Sequence, residues 1–143
     1  MKLLVLETDI DDMDMRVFGY VQQKFFDAGA HGVTMLPGYG KKGRPMVRLQ
    51  VLAKPELKET MKSIFFKETT TLGIRTFETE CEGLDVSFQD VKTKWGNVKV
   101  KIGTFNGKAV NVQPEFEDCA KLAKAHGVPV KEIIDTAKRN LYL

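Results

Sequence analysis

The sequence predicts an α+β fold: a ferredoxin-like βαββαβ subdomain followed by a small antiparallel β-meander and two C-terminal helices. Three observations predict it. Apolar residues recur at helical spacing in four stretches, and seven short runs between them read as strands. The first six elements follow the order strand, helix, strand, strand, helix, strand, which is the split βαβ unit. After Glu82-Gly83 three strand candidates come in succession with tight-turn residues between them.

Lys2 to Leu6 opens the chain as an apolar run, read as a strand buried on both faces. Met15 to Ala28 follows with Phe18, Val21, Phe25 and Ala28 on one helical face and Gly29 at the C-terminal cap position. His31 to Leu36 is the second strand, and Pro37 to Pro45 is a turn-rich hairpin tip. Met46 to Ala53 returns as the third strand, Val47, Leu49 and Val51 alternating with Arg48 and Gln50. Pro55 is expected at the first position of a second helix carrying Leu57, Met61, Ile64 and Phe65, which the β-branched run Thr69-Thr70-Thr71 ends. Ile74 to Cys81 is the fourth strand.

The meander comprises Val86 to Thr93, Val98 to Phe105 and Lys108 to Val112, turned by Trp95-Gly96-Asn97 and by Asn106-Gly107. Two helices end the chain, Glu115 to Ala125 before His126-Gly127, and Lys131 to about Leu141. The expected division is residues 1–82 for the ferredoxin-like subdomain and 83–143 for the meander with its helical hairpin. The carboxylates of Glu115, Glu117 and Asp118 are read as complements to a helix dipole. The last two helices resemble a helix-turn-helix, but acidic residues at the start of the first and Asp135 on the second favour ordinary helix packing.

Composition narrows the function classes. With 43% hydrophobic and 29% charged residues the chain is globular, and no apolar run approaches the roughly 20 residues a membrane span needs. The sequence starts in strand-like residues without a basic n-region, so a cytoplasmic location is expected. Cys81 and Cys119 have no C-x-x-C partner, which argues against zinc and against a disulfide framework. A net charge of +3 does not by itself imply nucleic acid. Lys92, Lys94, Lys99 and Lys101 keep that class open as an alternative marked by steep salt dependence, although no nucleic-acid partner and no membrane partner is expected.

The chemistry concentrates in three loops. Glu7-Thr8-Asp9-Ile10-Asp11-Asp12 is an acidic corner after the first strand; taken alone, Asp11 or Asp12 reads as the N-cap of a helix starting near Asp14. Lys41-Lys42-Gly43-Arg44 is a basic hairpin tip, and Thr69-Thr70-Thr71 precedes Arg75. In a ferredoxin-like sheet the first two strands are parallel and the other two antiparallel to them, which brings these three loops to one edge. That edge would offer Asp9, Asp11 and Asp12 to a metal, and Lys41, Lys42, Arg44, Arg75, Thr70 and Thr71 to negative oxygens. Magnesium or manganese with a nucleotide or polyphosphate matches this inventory, because such ions take one or two carboxylates and complete their shell with phosphate oxygens. The string Gly38-Tyr39-Gly40-Lys41-Lys42-Gly43 matches a dinucleotide fingerprint literally, but a strand follows it instead of a helix. The acidic corner fails as a calcium loop, since Tyr20 occupies the twelfth position.

Five motifs in order resemble the C-terminal domain of the LarC family: Glu7-Thr8-Asp9-Ile10-Asp11-Asp12-Met13; Ala28-Gly29-Ala30; Lys41-Lys42-Gly43-Arg44-Pro45; Glu68-Thr69-Thr70-Thr71-Leu72-Gly73-Ile74-Arg75; and Asn111-Val112-Gln113-Pro114-Glu115-Phe116-Glu117-Asp118-Cys119. The resemblance covers nearly the whole chain. It implies a CTP-binding domain of a CTP-dependent nickel-inserting cyclometallase, a lyase or metal-chelatase activity that makes the nickel-pincer cofactor of lactate racemase. The implied cofactors are CTP with Mn2+ or Mg2+, and Ni2+ is the inserted metal. The implied partners are the pyridinium bisthiocarboxylate mononucleotide and the family's N-terminal domain; a homo-oligomer is expected. The metal role falls on Asp9, Asp11 and Asp12, the phosphate role on Lys41, Lys42, Arg44 and Arg75, with Thr70 and Thr71 assisting. The family commonly has Asn at the position of Asp9, which puts Asp11 and Asp12 first as ligands, and a Tyr-Gly turn where this chain has Trp95-Gly96. Trp95 is read as a core residue. The alternative function is a non-enzymatic regulatory module that binds a small ligand on the same fold.

Overall fold

The computed structural model describes residues 1–141 and contains seven strands and four α-helices. Residue contacts divide the chain into two compact units, Met1–Glu82 and Gly83–Leu143.

In the first unit β1 (Lys2–Ile10) runs on past Leu6 through Glu7, Thr8, Asp9 and Ile10. Its alternation explains the length. Leu4, Leu6 and Ile10 belong to the helix-side core, while Leu3 and Val5 are buried on the opposite face and Glu7 and Asp9 continue that face. The chain turns at residues 11–13 into α1 (Met15–Asp27), which buries Phe18, Val21 and Phe25. The cap of α1 is Asp14, whose side chain accepts the Arg16 N–H at 2.9 Å; neither Asp11 nor Asp12 fills that role, because the longer β1 leaves both in the turn before it.

Strands β2 (Gly32–Tyr39) and β3 (Pro45–Ala53) form the hairpin, closed by a 3-10 turn at Lys41–Gly43. Pro55 starts a separate 3-10 turn, Pro55–Leu57, so α2 begins later than its proline suggests, at Lys58–Glu68. Strand β4 (Arg75–Glu80) completes the unit. The sheet order is β2-β3-β1-β4 with every neighbouring pair antiparallel, so β1 and β2 run parallel, as the ferredoxin-like order requires. Both helices pack on one face, and the rings of Phe25 and Phe65 meet at 4.8 Å between centroids.

The second unit is the meander β5 (Asp85–Thr93), β6 (Gly96–Phe105) and β7 (Lys108–Pro114), followed by α3 (Phe116–His126) and α4 (Val130–Arg139). Asn106 and Gly107 both take positive φ, 50° and 76°, which the two-residue turn between β6 and β7 needs. Cys119, Ile133 and Ala137 of the helices share one core with Val91, Val98, Val100 and Ile102, and Trp95 packs against it half-buried. Both cysteines are free thiols. Among the described residues no helix is long and apolar enough to cross a membrane.

Candidate functional site

Strand register brings the three predicted loops together. Asp9 stands opposite Arg48, Glu7 is flanked by Gln50 and Arg75, and Ile10 stands opposite Val47. The turn after β1, the β2–β3 hairpin tip and the loop before β4 therefore share one end of the sheet.

On the sheet face away from the helices, carboxylates and guanidiniums interlock. Arg48 donates to both oxygens of Asp9, Nε to Oδ1 at 2.7 Å and Nη2 to Oδ2 at 3.1 Å, a bidentate pair. Arg75 donates from Nη2 to Asp9 Oδ2 at 3.2 Å and from Nε to Glu7 Oε1 at 3.0 Å, and Gln50 donates to the second Glu7 oxygen at 2.8 Å. The amide of Gln50, more than any other neighbour, holds the Glu7 carboxyl below its ordinary value against the opposing effect of burial, with Arg75 adding to the same effect. Arg48 does the same for Asp9, and Asp9 in turn raises Arg48. Asp9, a candidate metal ligand, and Arg75, a candidate phosphate ligand, both take part in this network. Glu7, Arg48 and Gln50 are members that the sequence reading passed over. The signal was present in the alternation of Arg48 and Gln50 against Val47, Leu49 and Val51, which puts the polar pair on the face of Glu7 and Asp9.

The remaining predicted residues lie at the loops themselves. Arg44 Nη1 is 3.5 Å from Asp11 Oδ2, and the Thr70 hydroxyl donates to Asp12 at 2.6 Å. Lys41 and Lys42 are exposed on the hairpin tip, where Lys42 takes a positive φ of 58°. Thr71 is used locally: its hydroxyl lies 2.6 Å from that of buried Thr8, and both reach the Gly73 carbonyl. Among the described residues no three His, Cys, Asp or Glu side chains are grouped to hold a metal ion. Asp11 and Asp12 turn to different partners, but two exposed carboxylates beside exposed cations suit a hard cation that arrives with a phosphate chain, which supplies most of its own oxygens.

Next to this corner, on the helix side of the sheet, is a recess of about 390 Å³ between the first turn of α1 and the ends of β2 and β3. Met13, Met15, Met46, Pro37, Tyr39 and Asp11 are among the residues that line it. Met15 is 67% and Tyr39 80% exposed, so its rim presents apolar surface to solvent.

Comparison with known proteins gives consistent findings. A family described as nickel insertion protein matches residues 1–134. A pyridinium-3,5-bisthiocarboxylic acid mononucleotide nickel insertion protein of Thermotoga petrophila is 38% identical over 96% of this chain and 35% of its own length. One of the same description from Clostridium kluyveri is 37% identical over 94% of this chain and 34% of its own. The chain thus spans about a third of the length of the curated relatives it matches. Among solved structures, LarC2 is similar with a TM-score of 0.90 and 31% identity, covering 98% of this chain and 96% of that one. That protein is described as the C-terminal domain of a cyclometallase involved in the synthesis of the NPN cofactor of lactate racemase, in apo form. A Methanopyrus kandleri protein has a TM-score of 0.75 at 27% identity, covering 96% of this chain and 84% of its own.

Proposed function

The chain belongs to the nickel insertion protein family, and from that premise we propose that it is the nucleotide-handling domain of a CTP-dependent cyclometallase. The whole enzyme would place Ni2+ into pyridinium-3,5-bisthiocarboxylic acid mononucleotide, the compound named for the relatives. Nickel capture is assigned to the family's N-terminal domain. The observation that carries the reading is the meeting of the acidic corner, the basic hairpin tip and the threonine loop at one end of the sheet.

In this reading Asp11 and Asp12 would hold a divalent ion, Mg2+ or Mn2+, that comes with CTP. Such an ion supplies charge neutralisation on the phosphates, which makes the nucleotide a better group donor. Lys41, Lys42 and Arg44 would contribute the remaining positive charge, and Thr70, which donates to Asp12, would keep that carboxylate oriented. Asp9, clamped by Arg48 and Arg75, acts as a strut that keeps the ends of β1, β3 and β4 in register under the loops. Arg75 keeps one edge of that strut, and Thr71 shapes its loop through Thr8 and Gly73.

Calorimetric titration with CTP, ATP, GTP and UTP, each with and without Mn2+, tests the proposal. Saturable, Mn2+-dependent binding that prefers CTP is expected. Equal affinity with and without the metal would favour a small-ligand regulatory module, and binding of none of the four would refute the nucleotide reading of this domain.

A further inference from the structure

Resting on the reading above, we infer that the apolar recess beside the acidic corner is the subsite for the flat cationic ring of a pyridinium mononucleotide. Three observations lead there. The recess, about 390 Å³, lies within the size range of small-molecule sites and opens between the first turn of α1 and the β2–β3 hairpin. Its lining includes three methionines, Met13, Met15 and Met46, with Pro37 and Tyr39. Flexible thioethers and a phenol ring adapt to a planar aromatic guest, and sulfur and aromatic faces are polarisable partners for it.

The lining also separates one kind of ring from another. Apart from the Asp11 carboxylate and the Tyr39 phenol, its side chains are apolar or absent, with no amide, hydroxymethyl or cationic group. Reading the edge of a nucleobase takes donors and acceptors placed against its amide and amino groups. A pyridinium ring asks for none of these: it carries a permanent positive charge, favourable toward the Asp11 carboxylate and the face of Tyr39. Its 5′-phosphate would then point toward the hairpin tip, because Arg44, 3.5 Å from Asp11, directly precedes Pro45 of the recess wall, and Lys41 and Lys42 follow on the same tip. Without a divalent ion on Asp11, a cation next to its carboxylate and an anion next to Arg44 match the charges already paired there. Exposed Met15 and Tyr39 at the rim gain a partner for apolar surface that water otherwise covers.

Methionine methyl spectroscopy tests this directly. The chain has six methionines, of which Met13, Met15 and Met46 line the recess and Met1, Met35 and Met61 do not. Protein labelled with 13C at the methionine methyls is titrated, without metal, with nicotinamide mononucleotide, with its reduced neutral form and with CMP. Saturable ring-current shifts confined to Met13, Met15 and Met46 are expected with the oxidised mononucleotide, with about tenfold weaker binding of the reduced form. Tyr39→Ala, at an exposed site that does not threaten folding, is expected to weaken binding about fivefold or more, and Asp11→Asn to narrow the gap between oxidised and reduced ligands. Equal shifts with CMP, or shifts spread over all six methyls, would overturn the inference. So would silent recess methyls in a sample that still binds CTP with Mn2+, a result that leaves the nucleotide reading standing; loss of both kinds of binding would sink the two together.

Discussion

Glu7 is 8% exposed, yet it carries a charge, and it does so because Arg75 and Gln50 occupy both of its carboxylate oxygens. Truncating one partner leaves a desolvated anion short of a hydrogen bond, which costs more than the pair's net attraction. Arg75→Ala is therefore expected to lower the unfolding free energy by about 1–3 kcal/mol in urea titrations. Lys62→Ala, which removes only the exposed pair with Glu59, is expected to cost less than about 0.5 kcal/mol. Acid dependence follows from the same residues. The carboxyls of Glu7 and Asp9 are held below their ordinary values of 4.5 and 3.8 in the folded chain. Their contribution is thus complete above those values and is lost as pH falls through them toward the depressed folded values. Thermal unfolding followed from about pH 6 to about pH 3 is expected to show a falling Tm, with a shallower fall in Glu7→Gln/Asp9→Asn.

At the scale of elements, Asp14 and Gly127 make the sharpest contrast. Gly127 ends α3 in the left-handed region at φ 64°, and a glycine just after a helical stretch says so in the sequence. The capping residue of α1 is harder to read than its start at Met15, because Asp9, Asp11, Asp12 and Asp14 all lie within one short stretch and any of the last three has the chemistry of a cap. What decides is the length of β1, and that length depends on Arg48, Gln50 and Arg75, residues far along the chain that give Glu7 and Asp9 a reason to remain in a sheet. Local propensity cannot see such partners. Asp14→Ala is expected to lower the midpoint of chemical denaturation, whereas Asp11→Ala and Asp12→Ala are expected to leave it nearly unchanged.

In the whole molecule, the βαββαβ succession and the strand directions are legible because alternation, helical spacing and turn residues point to the same sequence of elements, and the observed β2-β3-β1-β4 sheet agrees with them. From that order the meeting of the three loops followed without any side-chain information. The division of labour within the acidic corner did not follow: Asp9 belongs to the ion-pair network with Arg48 and Arg75, Asp11 faces Arg44, and Asp12 takes the Thr70 hydroxyl. The recess was equally hidden, since its walls come from the turn after β1, the start of α1 and both hairpin strands, segments that meet only in the folded chain. The lysines of the meander, by contrast, belong to the second unit, where Asp90 stands opposite Lys99 and the Asp118 carboxylate accepts the Lys99 backbone N–H at 2.9 Å, and they make a natural control.

In the proposed function CTP and its divalent ion bind where the three loops of the first unit meet. The most direct test is the affinity for CTP with Mn2+ of the wild type, Arg44→Ala, Asp12→Ala and the double variant Lys99→Ala/Lys101→Ala. A loss of about tenfold or more, equivalent to about 1.4 kcal/mol, is expected for each of the two loop variants, with unchanged Tm, and no change for the meander variant. Undiminished affinity in Arg44→Ala and Asp12→Ala, or a loss confined to Lys99→Ala/Lys101→Ala, would contradict it.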